Sequence, residues 1–472
     1  MIGLNQLRTA YVHTPPSVRR ALSPFLSAVP MRFRFGRTYV AYRGYIERSR
    51  RDLDFVAAWQ RDRLRVLIQT AVLKSPHYRR VSDLVGLDMQ ALENFSVSDL
   101  TRFPILTKDE LRGRAQEFLT CSSDQLDEVS TSGSSGIPLS FYLPKDRSVK
   151  EWAFVQDSWT KIGFEPRSIR AVFRGIDLDN VDRKPWEFEP ALGELRLSPF
   201  HLTDTWMEKY CALILRYGAT FLHGYPSAIS IFSNYVLRMG RTDVSERIHG
   251  VIAVSEALFA HQRQRIVEAF PNAKVTSFYG MSEKILFGSE LAVEAGAYEM
   301  EPLYGIAELV DDNGRTIDRP GERGRIVGTG LLSRSMPLIR YDTGDLATLV
   351  EGASEKNLFR VKVKDIASRW GQEFLAGAGG QLISMTAINI HSPAYIKMSA
   401  FQFHQTELGK ATLKVIPAPG CVKDDIVPFI NEISAKVGAS LTFDIEIVSE
   451  IAHNARGKSK FIVQHIDLTK CQ

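Results

Sequence analysis

The chain has 472 residues, of which 44% are hydrophobic and 24% are charged, and its formal net charge is +5. This is the composition of an ordinary globular protein with room for about two to four domains of roughly 150 residues, and the charge is too small to predict a nucleic-acid partner. No apolar run reaches the roughly 18–20 residues that cross a bilayer, and the first residues lack the apolar core of a secretory signal. The four cysteines are far apart. We therefore expect a cytoplasmic protein with neither a disulfide framework nor a zinc site.

The first 51 residues are strongly basic, with ten arginines against a single acid, Glu47. Aromatic residues are interleaved with these arginines. Such a stretch is most often a solvated helix face, and the alternative is contact with an anionic membrane surface or a partner protein. We assign residues 1–50 as a basic N-terminal extension whose role the sequence leaves open.

Helical patterns follow this extension. The apolar spacing from Asp52 to Tyr78 is that of a helix, and residues 97–115 are predicted to form short helices. In that segment Thr107 is followed three residues later by Glu110, which predicts a capping box at a helix N-terminus. Arg147–Ile162 predicts a further helix.

The segment Thr131–Leu139 contains only hydroxyl residues and glycines in its first six positions. It lies between two predicted strands. Glycines let the backbone approach a ligand closely, and successive N–H groups form a concave nest for phosphate oxygens. On composition alone a flexible surface loop fits equally well, and the common phosphate-binding pattern that ends in Gly-Lys-Ser/Thr is absent.

Short apolar strands alternate with helices from Arg170 to Gly280, which predicts a parallel α/β sheet. Ligands bind such sheets at the carboxyl ends of the strands. The residues that follow these strands are polar, aromatic or glycine. They are Arg174-Gly175, His223-Gly224-Tyr225, Ser255-Glu256 and Tyr279-Gly280-Met281-Ser282-Glu283.

From about Tyr304 the pattern changes to antiparallel strands around the turn Asp312-Asn313-Gly314, and the final part of the chain mixes strands with a helix. The predicted fold class is α/β. It comprises a large N-terminal domain with mostly parallel sheets plus a β subdomain, and a small mobile α+β C-terminal domain. We place the core domain at residues 51–369 and the C-terminal lid domain at residues 370–472.

Four motifs stand in a set order along the chain: Thr131–Leu139, Tyr279–Glu283, Arg340–Asp345 and Arg456–Lys458. Each motif is weak alone. Their order over more than three hundred residues resembles the adenylate-forming (AMP-binding) superfamily of acyl-coenzyme A synthetases and related ligases.

Further stretches narrow this resemblance. Phe103–Arg112 is similar to a segment of the phenylacetate–coenzyme A ligase-like branch. Pro302–Glu308 and Met336–Tyr341 are similar to the sub-branch of capsular polysaccharide biosynthesis (CapK-type). The similarity runs from about residue 50 to residue 466, so the basic start lies outside it.

The resemblance implies that a substrate carboxylate attacks the α-phosphate of ATP, which gives an acyl-adenylate and pyrophosphate. It implies that Glu283 is catalytic and holds Mg²⁺, that Tyr279 stacks on adenine, and that Asp345 accepts hydrogen bonds from the ribose hydroxyls. Lys458 matches the catalytic lysine of the C-terminal domain, and Lys460 is its rival. The implied nucleotide-binding residues are Thr131, Ser132, Gly133, Ser134, Ser135, Gly136, Ser255, Glu256, Tyr279, Gly280, Met281, Ser282, Asp345 and Arg369.

The chain departs from the family pattern in two places. Arg369 corresponds to a hinge-region arginine, but the usual hinge aspartate is not plain because Gln372 and Glu373 both lie near its place. Relatives often carry a cysteine and a histidine, sometimes with a metal cluster, after the Tyr-Gly-x-Ser-Glu motif. Leu291 and Tyr298 occupy those places here, so we expect no structural metal and no zinc.

The acyl pocket is the part of the site that the sequence defines least. Arg174, His223, Gly224 and Tyr225 are its candidates because they follow strands that should border it, and Arg174 could steer a carboxylate. A lone histidine is more often a hydrogen-bonded structural residue than a ligand-binding one.

We therefore expect an ATP- and Mg²⁺-dependent ligase that activates a small carboxylic acid. The acyl acceptor would be coenzyme A, or an amine or hydroxyl such as that of a sugar in surface polysaccharide biosynthesis. The alternative is a non-catalytic assembly or scaffold protein that retains the fold, against which the intact Glu283, Asp345 and Lys458 argue. Contact through the arginine-rich start would make the protein membrane-associated or join it to a partner.

Overall fold

The computed structural model describes residues 31–131, 139–175, 178, 181–190, 192–368, 374–384, 397–451 and 462–468. It confirms the α/β class, with one large mixed sheet, helices packed on it, and a smaller α+β unit formed by the C-terminal residues. Every helix in this part of the chain is too short or too polar to cross a bilayer.

The α-helices are α1 Met31–Arg48, α2 Leu53–Lys74, α3 Pro76–Val85, α4 Met89–Glu93, α5 Lys108–Leu111, α6 Arg147–Thr160, α7 Asp204–Tyr217, α8 Pro226–Arg238, α9 Thr242–Ser245, α10 Ala260–Ala269 and α11 Val427–Val437. The capping box predicted at α5 is present. The Thr107 side chain accepts from the Glu110 N–H at 3.3 Å, and the Glu110 carboxylate accepts from the Thr107 N–H at 2.8 Å.

The strands are β1 Leu126–Thr131, β2 Leu139–Pro144, β3 Arg170–Phe173, β4 Trp186–Glu189, β5 Glu194–Leu197, β6 Phe221–Gly224, β7 Gly250–Ala253, β8 Lys274–Gly280, β9 Phe287–Glu290, β10 Ala297–Met300, β11 Gly305–Val310, β12 Arg323–Gly330, β13 Tyr341–Glu351, β14 Lys362–Ser368, β15 Phe374–Ala376, β16 Leu382–Ser384, β17 Met398–Glu407, β18 Lys410–Pro417, β19 Thr442–Ile447 and β20 Ile462–Gln464.

The large sheet has twelve strands in the order β11-β12-β13-β14-β10-β9-β8-β7-β6-β3-β5-β4. Strands β5, β3, β6, β7 and β8 pair in parallel, and every other pairing in this sheet is antiparallel. All residues of β3, β6 and β7 are buried, as expected for strands covered on both faces. Strand β8 pairs with β7 in the parallel half and with β9 in the antiparallel half, so its C-terminal end lies next to residues of both halves.

The C-terminal unit contains the four-stranded sheet β19-β18-β17-β20 and helix α11. It contacts the loops around β4 and β5 in the core domain. The Gln381 amide donates to the Phe200 carbonyl at 3.2 Å, and the Ser440 hydroxyl donates to the same oxygen at 3.1 Å. The Ala439 N–H donates to the Asp182 carboxylate at 2.9 Å. The proposed boundary at residues 369 and 370 lies outside the described residues and stays a prediction.

Helix α1 packs on the core through its aromatic side, so it is not simply the solvated face that its composition favours. Tyr39, Tyr42 and Ile46 are buried against α6. The buried carboxylate of Asp157 on α6 pairs with Arg43 at 2.8 Å and also with Arg50. Two of the ten N-terminal arginines therefore stabilise the packing of α1.

Removing the charge of Asp157 should detach part of this contact. We expect Asp157→Asn to lower the free energy of unfolding by about 1.5–3 kcal/mol, because hydrogen bonds to a buried charged group are lost. The matched control is Asp62→Asn, whose exposed carboxylate pairs with Arg61 and Arg65. It should cost no more than about 1 kcal/mol. Denaturant unfolding of both variants measures the difference, and equal costs would contradict the role of Asp157.

Candidate active site

Two of the predicted motifs meet through a reciprocal pair of hydrogen bonds. Tyr279 at the end of β8 donates its hydroxyl proton to the Asp345 carboxylate at 2.9 Å. Tyr341 at the start of β13 donates to the Glu283 carboxylate at 2.7 Å. Each motif thus supplies a tyrosine to the other motif's acid, and the two predicted carboxylates are brought into one site.

The backbone of β13 is shaped to present Asp345. Gly344 has a φ of 83°, in the left-handed region that favours glycine. Its N–H donates to the Asp342 carboxylate at 2.9 Å, and the Asp345 N–H donates to the Thr343 hydroxyl at 3.1 Å. These turns hold the Asp345 side chain toward Tyr279 without using its own carboxylate.

Lys108 is a member of this site that the sequence analysis missed. Its ammonium lies 3.9 Å from the Glu283 carboxylate, at the start of α5. The chain before α5 is fixed to the motif because the Leu106 N–H donates to the Arg340 carbonyl at 3.0 Å and the Leu106 carbonyl accepts from Asp342 at 2.9 Å. The capping box that starts α5 was the available signal.

Arg340 supports the site from beneath and is not a ligand-binding residue in this arrangement. Its guanidinium is buried, donates to the Phe103 carbonyl at 3.0 Å and pairs with Glu308 at 3.0 Å. Its own N–H donates to the Thr329 hydroxyl at 3.0 Å. The first residue of the Arg340–Asp345 motif therefore locks the motif to the β subdomain.

Burial dominates the electrostatics of the site. It raises the pKa of Asp345 above its ordinary value, while the hydrogen bond from Tyr279 and the charge of Lys108 oppose the rise. Burial also raises the pKa of Tyr279 and of Tyr341 well above their usual range. Both hydroxyls therefore stay protonated and act as donors to the carboxylates.

A narrow cleft lies between β2 and the residues that follow β8. Glu283 forms part of its wall together with the cations Arg147, Lys150 and Lys284. Lys284 has a φ of 58° and pairs with Glu151 at 2.8 Å. The cleft adjoins the strand that follows the predicted phosphate loop. Arg147 and Lys150 are also paired with acids, Arg147 with Asp127 and Lys150 with Asp146 at 2.8 Å, so an anion beside Glu283 would have to compete with these carboxylates.

The pocket candidates at the ends of β3 and β6 are held together by Tyr225. Its buried hydroxyl accepts from the Gly175 N–H at 3.1 Å and from the Arg174 side chain. Gly224 passes so close to Phe173 that a Cβ atom would lie 2.2 Å from its carbonyl oxygen. These strands can approach in this way only with glycine at position 224.

Ser255 and Glu256, which we predicted at the nucleotide, follow β7. Ser255 is exposed and has a φ of 68°. One Glu256 carboxylate oxygen accepts from the Ser227 N–H at 3.2 Å, in the first turn of α8. A carboxylate there is stabilised by the free N–H groups of the helix N-terminus. Their role at the nucleotide stays a prediction.

A buried carboxylate, Glu290, organises the region around Leu291 and Tyr298. It accepts from the Ser277 N–H at 2.8 Å and from the Gly296 N–H at 2.6 Å, and it pairs with Arg263. The Tyr298 hydroxyl shares a hydrogen bond with Ser277 at 2.8 Å. Within the described ranges there is no group of three or more His, Cys, Asp or Glu side chains arranged to hold a metal ion.

Several predicted residues lie outside the described residues. They are the loop residues Ser132, Gly133, Ser134, Ser135 and Gly136, the hinge-region Arg369 with Gln372 and Glu373, and the lysines Lys458 and Lys460. Thr131 is described in its backbone only, at the end of β1. The remaining motif residues Gly280, Met281 and Ser282 form the turn between Tyr279 and Glu283, closed by a bond from the Lys284 N–H to the Met281 carbonyl at 3.1 Å.

Comparison with known sequences gives three informative relatives, although no family model matches the chain. Protein CapK of Staphylococcus aureus is 22% identical over 395 residues, which cover 82% of this chain and 84% of CapK. Phenylacetate-coenzyme A ligase of Aromatoleum evansii is 26% identical over 315 residues, covering 63% and 67% of the two chains. The ligase of that name from Escherichia coli K12 is 25% identical over 319 residues, covering 64% and 69%.

Comparison with solved structures gives the fold. 2-Hydroxyisobutyryl-CoA ligase, in complex with 2-HIB-AMP and CoA in the thioesterification state, superposes with a TM-score of 0.52 at 16% identity. The match covers 98% of this chain and 95% of that chain. The same ligase in its postadenylation state gives a TM-score of 0.52 over 90% and 93%.

The sequence similarity to CapK and to the phenylacetate-coenzyme A ligases, together with the shared fold, supports the resemblance to the adenylate-forming superfamily of ligases. The chain is phenylacetate–coenzyme A ligase-like, and it is CapK-like over most of its length.

The bond between Tyr341 and Glu283 can be tested through stability. Tyr341→Phe leaves a buried carboxylate oxygen without its donor, so we expect a loss of about 1–3 kcal/mol in unfolding free energy. In a Glu283→Ala background the same substitution should cost less, since no carboxylate remains to be paired. Denaturant unfolding of the two single variants and the double variant gives the coupling energy. Strictly additive costs would show that the hydrogen bond contributes nothing.

Proposed function

We propose that this protein is a ligase that uses ATP and Mg²⁺ to activate a small carboxylic acid as an acyl-adenylate. The observation that carries the proposal is the reciprocal bonding of Tyr279 to Asp345 and of Tyr341 to Glu283. It joins the two carboxylates that nucleotide activation needs, from motifs that are far apart in sequence. The names of the phenylacetate-coenzyme A ligases among its relatives support the same chemistry.

The reaction joins two anions, so the task of the protein is positioning and charge compensation. The substrate carboxylate attacks the α-phosphorus of ATP, the bond to the bridging oxygen breaks, and pyrophosphate leaves. Asp345 would accept hydrogen bonds from both ribose hydroxyls, because an ionised carboxylate has two acceptor oxygens. Lys108 would place its charge beside the phosphates. Lys458 would bring a further charge to the α-phosphate from the C-terminal domain.

The residues present suit Mg²⁺ held together with a nucleotide. Mg²⁺ in such sites takes one or two carboxylates and completes its shell with phosphate oxygens and water. Glu283 supplies one carboxylate, oriented by Tyr341 and buried. When bound, the ion would neutralise phosphate charge.

The acyl acceptor in this proposal is coenzyme A, or an amine or hydroxyl acceptor in surface polysaccharide biosynthesis. The names of the phenylacetate-coenzyme A ligases support coenzyme A as the acceptor. The long match to CapK supports the CapK-type resemblance on which the polysaccharide alternative rests. Contact of the arginine-rich start with a membrane or a partner is a further part of the proposal. It concerns the N-terminal arginines other than Arg43, Arg48, Arg50 and Arg51, because these four pair with acidic side chains.

The buried Asp345 predicts opposite effects of acid on binding and on stability. Because burial raises its pKa above the ordinary value of 3.8, lowering the pH neutralises it earlier than an exposed aspartate. AMP affinity should fall in that window. The contribution of Asp345 to unfolding free energy should rise there, since the folded state binds more protons than the unfolded state. Titration calorimetry and denaturant unfolding check both signs, and in Asp345→Asn both pH dependences should vanish.

ATP–pyrophosphate exchange with a panel of carboxylic acids tests the activity directly. We expect exchange with at least one acid, and a loss of at least about 100-fold on Glu283→Gln or Lys458→Ala. Lys460→Ala is the matched control and should retain most of the rate. No exchange with any acid, together with no binding of ATP and Mg²⁺, would favour the scaffold alternative.

A further inference from the structure

Four side chains on one face of the parallel sheet form a buried cluster of nitrogen atoms, which we call the donor cluster. Its members are Trp152, Trp159, Arg170 and His223. The Nε1 atoms of both tryptophans, the Nε atom of Arg170 and the Nδ1 atom of His223 are buried, and none has a hydrogen-bond partner among the residues that the structure describes. Trp159, Arg170 and His223 are exposed by only 1%, 5% and 4%.

The members of the donor cluster contact one another. The rings of Trp152 and Trp159 meet edge to face with centroids 5.0 Å apart, and those of Trp159 and His223 meet at 4.9 Å. The Arg170 guanidinium carbon lies 5.1 Å from the Trp159 centroid and 5.8 Å from that of Trp152. The side chains that carry the unpaired nitrogens therefore form one contiguous group.

One member of the donor cluster, His223, is itself an acyl pocket candidate. Arg170 begins β3 and pairs in register with Phe221, two residues before His223 on the neighbouring strand β6. Since side chains two apart on a strand share a face, Arg170 and His223 face the same layer, which α6 covers with the two tryptophans. The charge of Arg174, at the end of β3, acts on His223 together with that of Arg170.

The chemistry of these groups specifies a complementary ligand. Indole N–H and guanidinium N–H groups are donors only, so the partner they lack is an acceptor oxygen. A buried donor without a partner is costly, and a site built from such donors discriminates strongly against ligands that lack the matching oxygen. Arg170 already pairs with Glu194 at 2.5 Å, so its charge is balanced and a neutral oxygen fits better than a carboxylate.

We propose that the donor cluster binds a neutral acceptor oxygen, a keto or hydroxyl group, on the acyl part of the substrate. The acid would then be a keto or hydroxy acid rather than a purely hydrocarbon one. This inference rests on the proposed function, which it sharpens by naming the substrate class. A hydroxyl group could in addition interact with His223, whose pKa burial lowers well below its usual value, so that the ring is neutral.

Matched acids test the proposal in the pyrophosphate-exchange reaction. Each pair has the same length and shape and differs by a methylene against a keto or hydroxyl group, with a dicarboxylate as a third arm. We expect kcat/KM to be at least about tenfold higher for the keto or hydroxy acid. Equal values, or a preference for the dicarboxylate or the hydrocarbon acid, would overturn the proposal and leave the ligase activity standing.

Two ring-preserving variants locate the effect. Trp159→Phe and His223→Phe remove nitrogen atoms and keep aromatic rings, so each should lower the ratio of kcat/KM between the two acids by about three- to tenfold. Phe164→Leu is the control, because Phe164 contacts Trp159 edge to face at 5.2 Å but carries no donor. It should leave the ratio unchanged. Equal changes in all three variants would reveal a packing effect and contradict the proposal.

Direct binding separates failure of this inference from failure of the proposed function. Titration calorimetry of the full chain with the same acids, without ATP, does not depend on catalysis. Tighter binding of the oxygen-bearing acid supports the donor cluster even where no exchange occurs. If that acid binds no more tightly than its hydrocarbon match, the proposal is wrong whatever the exchange assay shows.

Discussion

The crossed hydrogen bonds between two tyrosines and two carboxylates are the constraint on which the site depends. Tyr279 donates to Asp345 and Tyr341 donates to Glu283, so each motif supplies a hydrogen bond to the acid of the other. Two half-buried to buried carboxylates close together repel each other, and Lys108 offsets part of that cost. The junction between the parallel and antiparallel halves of the sheet is therefore also the place where the two candidate carboxylates meet.

Much of this site could be predicted from the sequence, because the order of the motifs identified Tyr279, Glu283 and Asp345. The hydrogen bonds between them could not, since they join residues 66 and 58 positions apart. Tyr341 lies in the Arg340–Asp345 motif, but the sequence predicts no role for it. The capping box predicts where α5 begins, but the contact of Lys108 with Glu283 depends on backbone hydrogen bonds that tie Leu106 to β13, and these cannot be predicted from a local pattern. The roles of the phosphate loop and of Lys458 stay predictions.

The alternation of apolar strands and helices predicted between Arg170 and Gly280 is present, as the parallel strands β3, β6, β7 and β8 with helices between them. The N-terminal region shows the limit of composition. The ten arginines favour a solvated face, but the spacing of Tyr39, Tyr42 and Ile46 gives α1 an apolar side. The Asp157 carboxylate pairs with Arg43 in α1 and with Arg50, which lies just after α1. That acid lies more than a hundred residues away in sequence, so only tertiary structure brings the charges together.

Helix α6 contacts both the N-terminal helix α1 and the donor cluster. One side carries Asp157 and receives α1, while another carries Trp152 and Trp159 over the sheet. Because α6 packs against both α1 and the sheet, a shift toward one would loosen its contacts with the other. The packing of α1 and the positions of Trp152 and Trp159 over the sheet are therefore coupled through α6. If the donor cluster selects the acid as we propose, removing α1 would alter that selection, because α1 and the donor cluster pack on the same helix.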